Sequence, residues 1–568
     1  MSEPGADATA PPAEAAGDAL PADSSAPAEL APEVAAIAKG YTFDEPAIEL
    51  GVLMEDDEPV PQAVVRIPLG MLNRHGLVAG ATGTGKTKTL QLMAEQISAA
   101  GVPVFAADIK GDLSGIAAPG TASEKLLART RKIGQDWTPQ GCPTEFFALG
   151  GQGAGVPLRA TMSSFGPTLL AKVLSLNDVQ ESSLGLVFHY ADAQGLPLLD
   201  LADLRAVLQH LTSDEGKAEL KSIGGLSAAT AGVILRSLIT FADQGADAFF
   251  GEPEFDTADL LRVTGDGRGV VSLLELPNLQ DRPALFSTFL MWLLADLFHD
   301  LPEVGDVDKP RLVFFFDEAH LLFNDASKAF LDAIAQTVRL IRSKGVGIFF
   351  VTQTPKDVPD AVLGQLGSRV QHQLRAHTPN DAKALKQTVQ TFPRSHYDLA
   401  ETLQQLGIGE AIVTVMDPDG SPTPVAWTRM RAPQSLMAAI PEDSLRPGIA
   451  QSALMARYGQ AVDRDSAREM LARKLEAGAA AAEAERQAAE RAEQAEQSAK
   501  DQAKAEEQAG REAERAGSAS RQPASRPTST RRQKNVIEQV ASSSVVKDFA
   551  RTAGREIVRS IFGTARRR

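Results

Sequence analysis

The chain is expected to fold as an α/β domain around a mainly parallel sheet, with a helical insertion and extended C-terminal helices. Three observations predict this. The stretch Gly80-Ala81-Thr82-Gly83-Thr84-Gly85-Lys86-Thr87 matches G-x-x-x-x-G-K-[ST] and lies between an apolar run and a helical pattern. Apolar segments of strand length alternate with helical ones around it, which implies parallel pairing and a sheet covered on both faces. One segment, Leu312-Val313-Phe314-Phe315-Phe316, is apolar throughout and ends in Asp317-Glu318. That is the pattern of a central strand carrying acids to a sheet edge.

Residues 1–40 are rich in Ala, Pro and acids and are expected to be a disordered tail. They lack the basic start and apolar core of a signal peptide. Residues 41–75 read as a small β-rich lead-in, with Val64-Val65-Arg66-Ile67-Pro68-Leu69 as one piece. Residues 76–435 form the nucleotide domain. Its first strands are 76–79, 102–107 and 145–149. Apolar residues then recur at helical spacing in 167–191, 198–212 and 226–249, so residues 160–263 are expected to be a helical insertion. Strands resume at 270–276, 312–316 and 346–351, and segments 369–375 and 411–416 supply late edge strands. The apolar helix 285–298 carries Asp296 and is too short to span a bilayer.

Residues 436–516 are expected to be a charged helical stalk. Between Leu475 and Val536 there is no Leu, Ile, Val, Phe or Met, which leaves nothing for a coiled-coil seam. A Ser/Pro/Arg linker (517–540) leads to a basic amphipathic helix (541–568). There Phe549, Ala553, Ile557 and Ile561 face away from Arg551, Arg555 and Arg559. Docking on the body is its leading reading; contact with nucleic acid or an anionic surface are the others.

The glycines let the 80–87 loop curl so that backbone N–H groups point at phosphate oxygens, and the following helix aims its positive end there. Gly80, Ala81, Thr82, Gly83, Thr84 and Gly85 are the candidate cradle. Lys86 would reach the β- and γ-phosphates of ATP, and Thr87 would hold Mg²⁺. Asp317 would bind the metal through water, and Glu318 would orient and deprotonate the attacking water. An acidic helix cap would explain the Asp but not the pair. Gln353, in Val351-Thr352-Gln353-Thr354-Pro355, is a candidate γ-phosphate sensor, with an ordinary turn as the alternative. Arg339 and Arg342 end a helix. They are either partners of its dipole or fingers reaching a neighbouring subunit's γ-phosphate. Asp108 and Lys110, followed by Gly111 and Asp112, close the second strand, either beside the nucleotide or as an Asx-type turn. His320 after Asp-Glu-Ala invites comparison with DEAH-box helicases. The Gln-x-x-Gly-Arg-x-x-Arg element of those proteins is absent from the sequence.

The order of these motifs, from Gly80–Thr87 through Asp108-x-Lys110-Gly111-Asp112, Phe316–His320 and Arg342-x-Lys344-Gly345-x-Gly347 to Thr352-Gln353, resembles the HerA/FtsK branch of P-loop ATPases. It is most similar to the bacterial HerA-like group, over residues 40–430 and the terminal Gly554-Arg555-Glu556 helix. The resemblance implies a RecA-like motor domain, often in a hexameric ring, moving DNA or peptide through a pore. It assigns phosphate and metal binding to Gly80, Gly83, Gly85, Lys86 and Thr87, metal and water chemistry to Asp317 and Glu318, and sensing to Gln353. Only residues 41–75 stand where archaeal HerA carries a β-barrel, so that barrel is expected to be scarcely present. A DNA translocase or helicase-like motor is therefore expected, as a homo-oligomer. The net charge of −16 argues against a broad basic surface and favours the alternative, an ATP-dependent switch or assembly factor that binds proteins. A single cysteine, Cys142, fits a reducing compartment, and a cytoplasmic protein without integral membrane contact is expected.

Overall fold

Five consecutive apolar residues leave a strand no polar face, so Leu312–Phe316 has to be covered from both sides. In the computed structural model, which describes residues 30–276, 283–324 and 326–518, all five are fully buried. Leu312, Phe314 and Phe316 pack into one core layer and Val313 and Phe315 into the other. Phe315 stacks on Phe349 with ring centroids 5.4 Å apart, and Phe316 meets Phe350 at 5.7 Å. Burying each such ring contributes about 1.5–3 kcal/mol.

The strands are β1 (Ala47–Glu55), β2 (Glu58–Pro68), β3 (Gly76–Ala79), β4 (Val104–Asp108), β5 (Thr144–Leu149) and β6 (Val156–Leu158). They continue as β7 (Val271–Glu275), β8 (Leu312–Phe316), β9 (Val346–Thr352), β10 (Ser368–Gln371), β11 (Glu410–Thr414) and β12 (Ala426–Met430). All twelve join one sheet in the order β2-β1-β12-β11-β10-β3-β9-β8-β4-β7-β5-β6. From β10 to β6 every pairing is parallel. From β10 back to β2 every pairing is antiparallel.

One face carries the helix Lys86–Ala99, which buries Leu90, Met93, Ala94 and Ile97. The other carries the helix Pro283–Asp300 and five helices between Met162 and Asp243. Local sequence starts these helices well. Asn177 with Gln180, and Asp200 with Asp203, form reciprocal capping boxes. Leu204, Val207, Leu208 and Leu211 then form a buried stripe against Ile234 and Leu238.

Several expected boundaries shift. Residues 32–40 of the expected disordered tail form a helix, Pro32–Gly40, because Val34 and Ile37 share a face that β1 and β2 bury. Residues 1–29 lie outside the described residues. The lead-in is the antiparallel wing of the main sheet, since β1 pairs with β12. The late strands β10 and β11 are interior rather than edge strands; that wing covers them, and the edges are β2 and β6. The first part of the expected stalk packs on the body, where Leu445, Ile449, Leu454 and Tyr458 are buried.

The chain divides into two units after Glu476. The helix Ala467–Ser518 runs through 52 residues. From Ala477 to Arg515 it is exposed throughout. There it carries Glu496–Lys500 and Glu507–Arg511 pairs at 2.6 and 2.7 Å. Such pairs contribute about 0.3–0.5 kcal/mol each. Beyond Ser518, the expected linker and basic helix lie outside the described residues.

Candidate active site

The glycine loop hangs between two strands that flank β3. Gly80 donates its N–H to Thr352 O on β9 (3.2 Å), and Ala81 donates to Gln373 O just beyond β10 (2.8 Å). Gly83 adopts φ +82°, the left-handed region that suits glycine. At Gly80 a Cβ would lie 2.5 Å from the His372 Cβ, so the close approach of the two segments requires glycine. Thr84 Oγ1 donates to Ala81 O at 2.7 Å and tightens the turn. Gly85 then opens the helix Lys86–Ala99, placing Lys86 and Thr87 in its first turn, where backbone N–H groups lack helical acceptors. Lys86 is buried, and its Nζ donates to Gly80 O (2.7 Å) and Ala81 O (3.3 Å). Burial lowers its pKa, opposed by the nearby charges of Glu318 and Asp317.

Strands β4 and β8 are neighbours, and their carboxyl ends bring four acids together. Asp108 acts as an Asx-type clamp. Its carboxylate accepts from the N–H groups of Lys110 (3.1 Å), Gly111 (2.8 Å) and Leu113 (2.7 Å). Oxygens of Asp108, Asp112 and Asp317 all lie within 4.8 Å of one another. Asp317 Oδ1 accepts from Glu318 N–H at 2.9 Å, while its buried Oδ2 has no hydrogen-bond partner. Burial, and then the charge of Glu318, push the Asp317 carboxyl up to about 7. A buried carboxylate oxygen without a donor, among other carboxylates, fits a hard divalent cation such as Mg²⁺.

Glu318 takes a left-handed backbone conformation, φ +48°, beyond the end of β8. Its side chain is ion-paired with Lys110, and His320 Nδ1 lies 3.1 Å from its Oε2. Burial opposes its ionisation. His320 and Lys110 outweigh that and hold its carboxyl down at about 2. The Glu318 carboxylate raises the pKa of His320 in return. The Glu318 carboxylate is thus held in its ionised form between two basic groups.

Gln353 is exposed immediately beyond the carboxyl end of β9, the strand between β3 and β8. Arg339 and Arg342 are not brought into this pocket. Arg339 is exposed on the helix Lys328–Ile341, and Arg342 precedes the amino end of β9. The seven residues of β9 separate them from the loop, a distance of about 20 Å. Arg342 instead lies 3.7 Å from Asp306, which also accepts from Arg74 at 3.1 Å. Lys344 is structural, with its Nζ donating to Leu301 O at 2.7 Å.

Three contributors escape sequence reasoning. Buried His372 bridges Glu410 O (2.8 Å) and Thr89 Oγ1 (2.9 Å) behind the loop. Since the carbonyl requires Nδ1–H, Nε2 accepts from the threonine. Gly409 donates to Thr84 O at 3.0 Å, and Arg129 in turn donates to Gly409 O at 2.9 Å. Arg375 donates to Thr82 O at 3.4 Å. No local motif marks these residues. They reach the loop only because β10 pairs with β3.

One strand, β9, lies between the loop strand β3 and the acidic strand β8 in the parallel part of the sheet, the strand arrangement of a RecA-like P-loop fold. The chain belongs to the HerA-like helicase C-terminal family, whose model matches residues 54–568. It is 31% identical over 153 residues to the probable helicase MJECL08 of Methanocaldococcus jannaschii, covering 25% of this chain and 28% of that protein. It is 22% identical over 384 residues to the DNA double-strand break repair helicase HerA of Sulfurisphaera tokodaii, covering 65% of this chain and 67% of that protein. Among solved structures, the bacterial conjugative coupling protein TrwB aligns at 15% identity and TM-score 0.48, over 72% of this chain and 92% of that one. VirB4 of Thermoanaerobacter pseudethanolicus aligns at 15% identity and TM-score 0.45, over 69% and 98%. Among the described residues no helix is long and apolar enough to cross a membrane.

Proposed function

We propose that this chain is a Mg²⁺-dependent ATPase that couples hydrolysis to movement along DNA, as a cytoplasmic homo-oligomer. The observation that carries the reading is the Glu318 carboxylate, held ionised by Lys110 and His320 beside the unpartnered Asp317 oxygen. The backbone N–H groups of residues 80–87 and the Lys86 ammonium bind the triphosphate. Thr87 and Asp317 would hold Mg²⁺, whose charge neutralises the phosphate oxygens when it is bound. Glu318 accepts a proton from the attacking water, and the Gln353 amide orients that water or the γ-phosphate. Arg342, with Arg339 beside it, acts on the nucleotide of a neighbouring copy, which accounts for its distance from its own loop. Asp108 contributes by shaping the turn that carries Lys110.

DNA as the substrate follows the family and the named activity of the Sulfurisphaera relative. The net charge of −16 supports the second reading, an ATP-driven switch on protein partners. ATPase rates with and without duplex and single-stranded DNA separate the two. A motor is stimulated several-fold by DNA, loses that stimulation with salt and collapses in Glu318→Gln. A flat response to DNA with an intact basal rate selects the switch. Normal ATP binding by Lys86→Ala overturns the phosphate assignment itself.

A further inference from the structure

The segment after β10 runs along the phosphate loop as a second arm. His372 N–H donates to Ala79 O (2.7 Å), Ala81 N–H donates to Gln373 O (2.8 Å), and Arg375 Nη2 donates to Thr82 O (3.4 Å). Lys86 Nζ donates to Gly80 O and Ala81 O. Two cations therefore occupy three consecutive carbonyls of one loop, those of residues 80, 81 and 82.

Arg375 differs from Lys110, which Glu318 already holds. Its side chain is exposed, and among the described residues no carboxylate lies within ion-pair distance of it. Its backbone, however, is pinned. Buried Leu374 donates its N–H to Leu403 O (2.9 Å), and the Gln373 side-chain amide donates to Gln404 O (2.8 Å). Thr378 and Asp381 form a capping box that starts the next helix three residues on. A guanidinium positioned this way reaches the phosphate site with little loss of backbone freedom. Moving from a neutral carbonyl to a phosphate oxygen gives it charge-assisted hydrogen bonds about twice as strong.

We propose that Arg375 is a nucleotide-contacting residue of the chain's own site, donating to the terminal phosphate of ATP and so distinguishing ATP from ADP. The inference rests on the ATPase reading above and deepens it. It is separate from the arginines at the far end of β9, because Arg375 serves the loop of its own copy.

The test measures binding of a non-hydrolysable ATP analogue and of ADP to the full chain, by competition with a fluorescent nucleotide. Arg375→Ala is expected to weaken the ATP analogue by about tenfold or more, the loss of one charged hydrogen bond. ADP affinity is expected to stay within about twofold, since ADP lacks the phosphate that the residue contacts. Arg375→Lys falls between, because it keeps the charge but loses the planar fork. The exposed side chain leaves the nucleotide-free melting temperature unchanged. Should the alanine variant not fold, Arg375→Gln, which can still donate to Thr82 O, is read in the same way. Equal weakening of both nucleotides, or an unchanged ratio between them, overturns the assignment. If the wild-type chain binds neither nucleotide, the ATPase reading falls and this inference falls with it. An unchanged ratio in a wild-type chain that does bind ATP removes this inference alone.

Discussion

Lys110 and Glu318 form an ion pair across adjacent parallel strands, Lys110 three positions beyond Ala107 on β4 and Glu318 two beyond Phe316 on β8, the last residues at which the two strands pair. The shared register makes the contact. The turn clamped by Asp108 aims the lysine at the residue expected to act as base.

Lys110→Met is expected to move the acidic limb of the pH–rate profile upward. With the ammonium gone, His320 alone opposes burial and the Glu318 carboxyl protonates at higher pH. Removing a close opposite charge shifts a carboxyl by about one to three pH units. The measurement is kcat/KM for ATP between pH 4 and 8. A profile that overlays the wild type rules out control of the base by Lys110.

Arg342→Ala and Lys86→Ala are each expected to be inactive alone and to regain activity when mixed. In mixed assemblies an intact loop on one copy meets an intact arginine on the next. Loss of such a finger lowers kcat by about 10³–10⁵. A mixture no more active than its components shows that Arg342 is not supplied between copies.

Acid is expected to destabilise the fold through two buried neutral histidines. His75 accepts from Ile348 N–H at Nδ1 (3.1 Å), and burial lowers the pKa of both His75 and His372 from 6.5 to about 4. Between those values the unfolded chain binds more protons than the folded one. Their contribution is therefore complete above about pH 6.5 and is lost as the pH falls towards 4. The slope is on the order of 1.4 kcal/mol per pH unit for each histidine. Urea unfolding at pH 7, 5.5 and 4.5 for wild type and His75→Asn checks it. The stability difference between the two has to narrow with acid, and a constant difference refutes the account.

Asp108→Ala removes the acceptor of three backbone N–H groups. A loss of about 1–3 kcal/mol is expected from donors left unpaired. Asp108→Asn, which keeps an acceptor oxygen, is expected to recover part of it. Denaturant melts measure both, and equal stability of the alanine variant and the wild type contradicts the clamp.

What the sequence revealed was local. The glycine loop and the run ending in Asp317-Glu318 each stand out within ten consecutive residues, and the structure places the first between β3 and the helix Lys86–Ala99 and the second at the end of β8. The helical stretch between Met162 and Asp243 announces itself by apolar residues recurring at helical spacing. His372, Arg375 and Gly409 were hidden because their partners in the loop and the helix after it lie hundreds of positions away along the chain, 283 for His372 with Thr89 and 293 for Arg375 with Thr82. Only the pairing of β10 with β3 brings them in, and no composition or periodicity encodes that pairing. The interior position of β10 and β11 was missed for a related reason. An edge strand is defined by what fails to pair with it, and here the earliest strands of the chain return to cover the latest. The helix Pro32–Gly40 was masked by its Ala/Pro surroundings, although two apolar residues three apart were enough to anchor it.

The polarity of β9 has a geometric consequence. Thr352 touches the glycine loop at one end, and Arg342 precedes the other. Where the arginine end of one copy meets the loop end of the next and nothing is returned across the same contact, the two copies offer each other different surfaces and no two-fold axis relates them. Such contacts are heterologous: they close into a cycle when the rotation per copy divides a full turn and otherwise extend as a filament. The number of copies is then set by the angle between successive subunits.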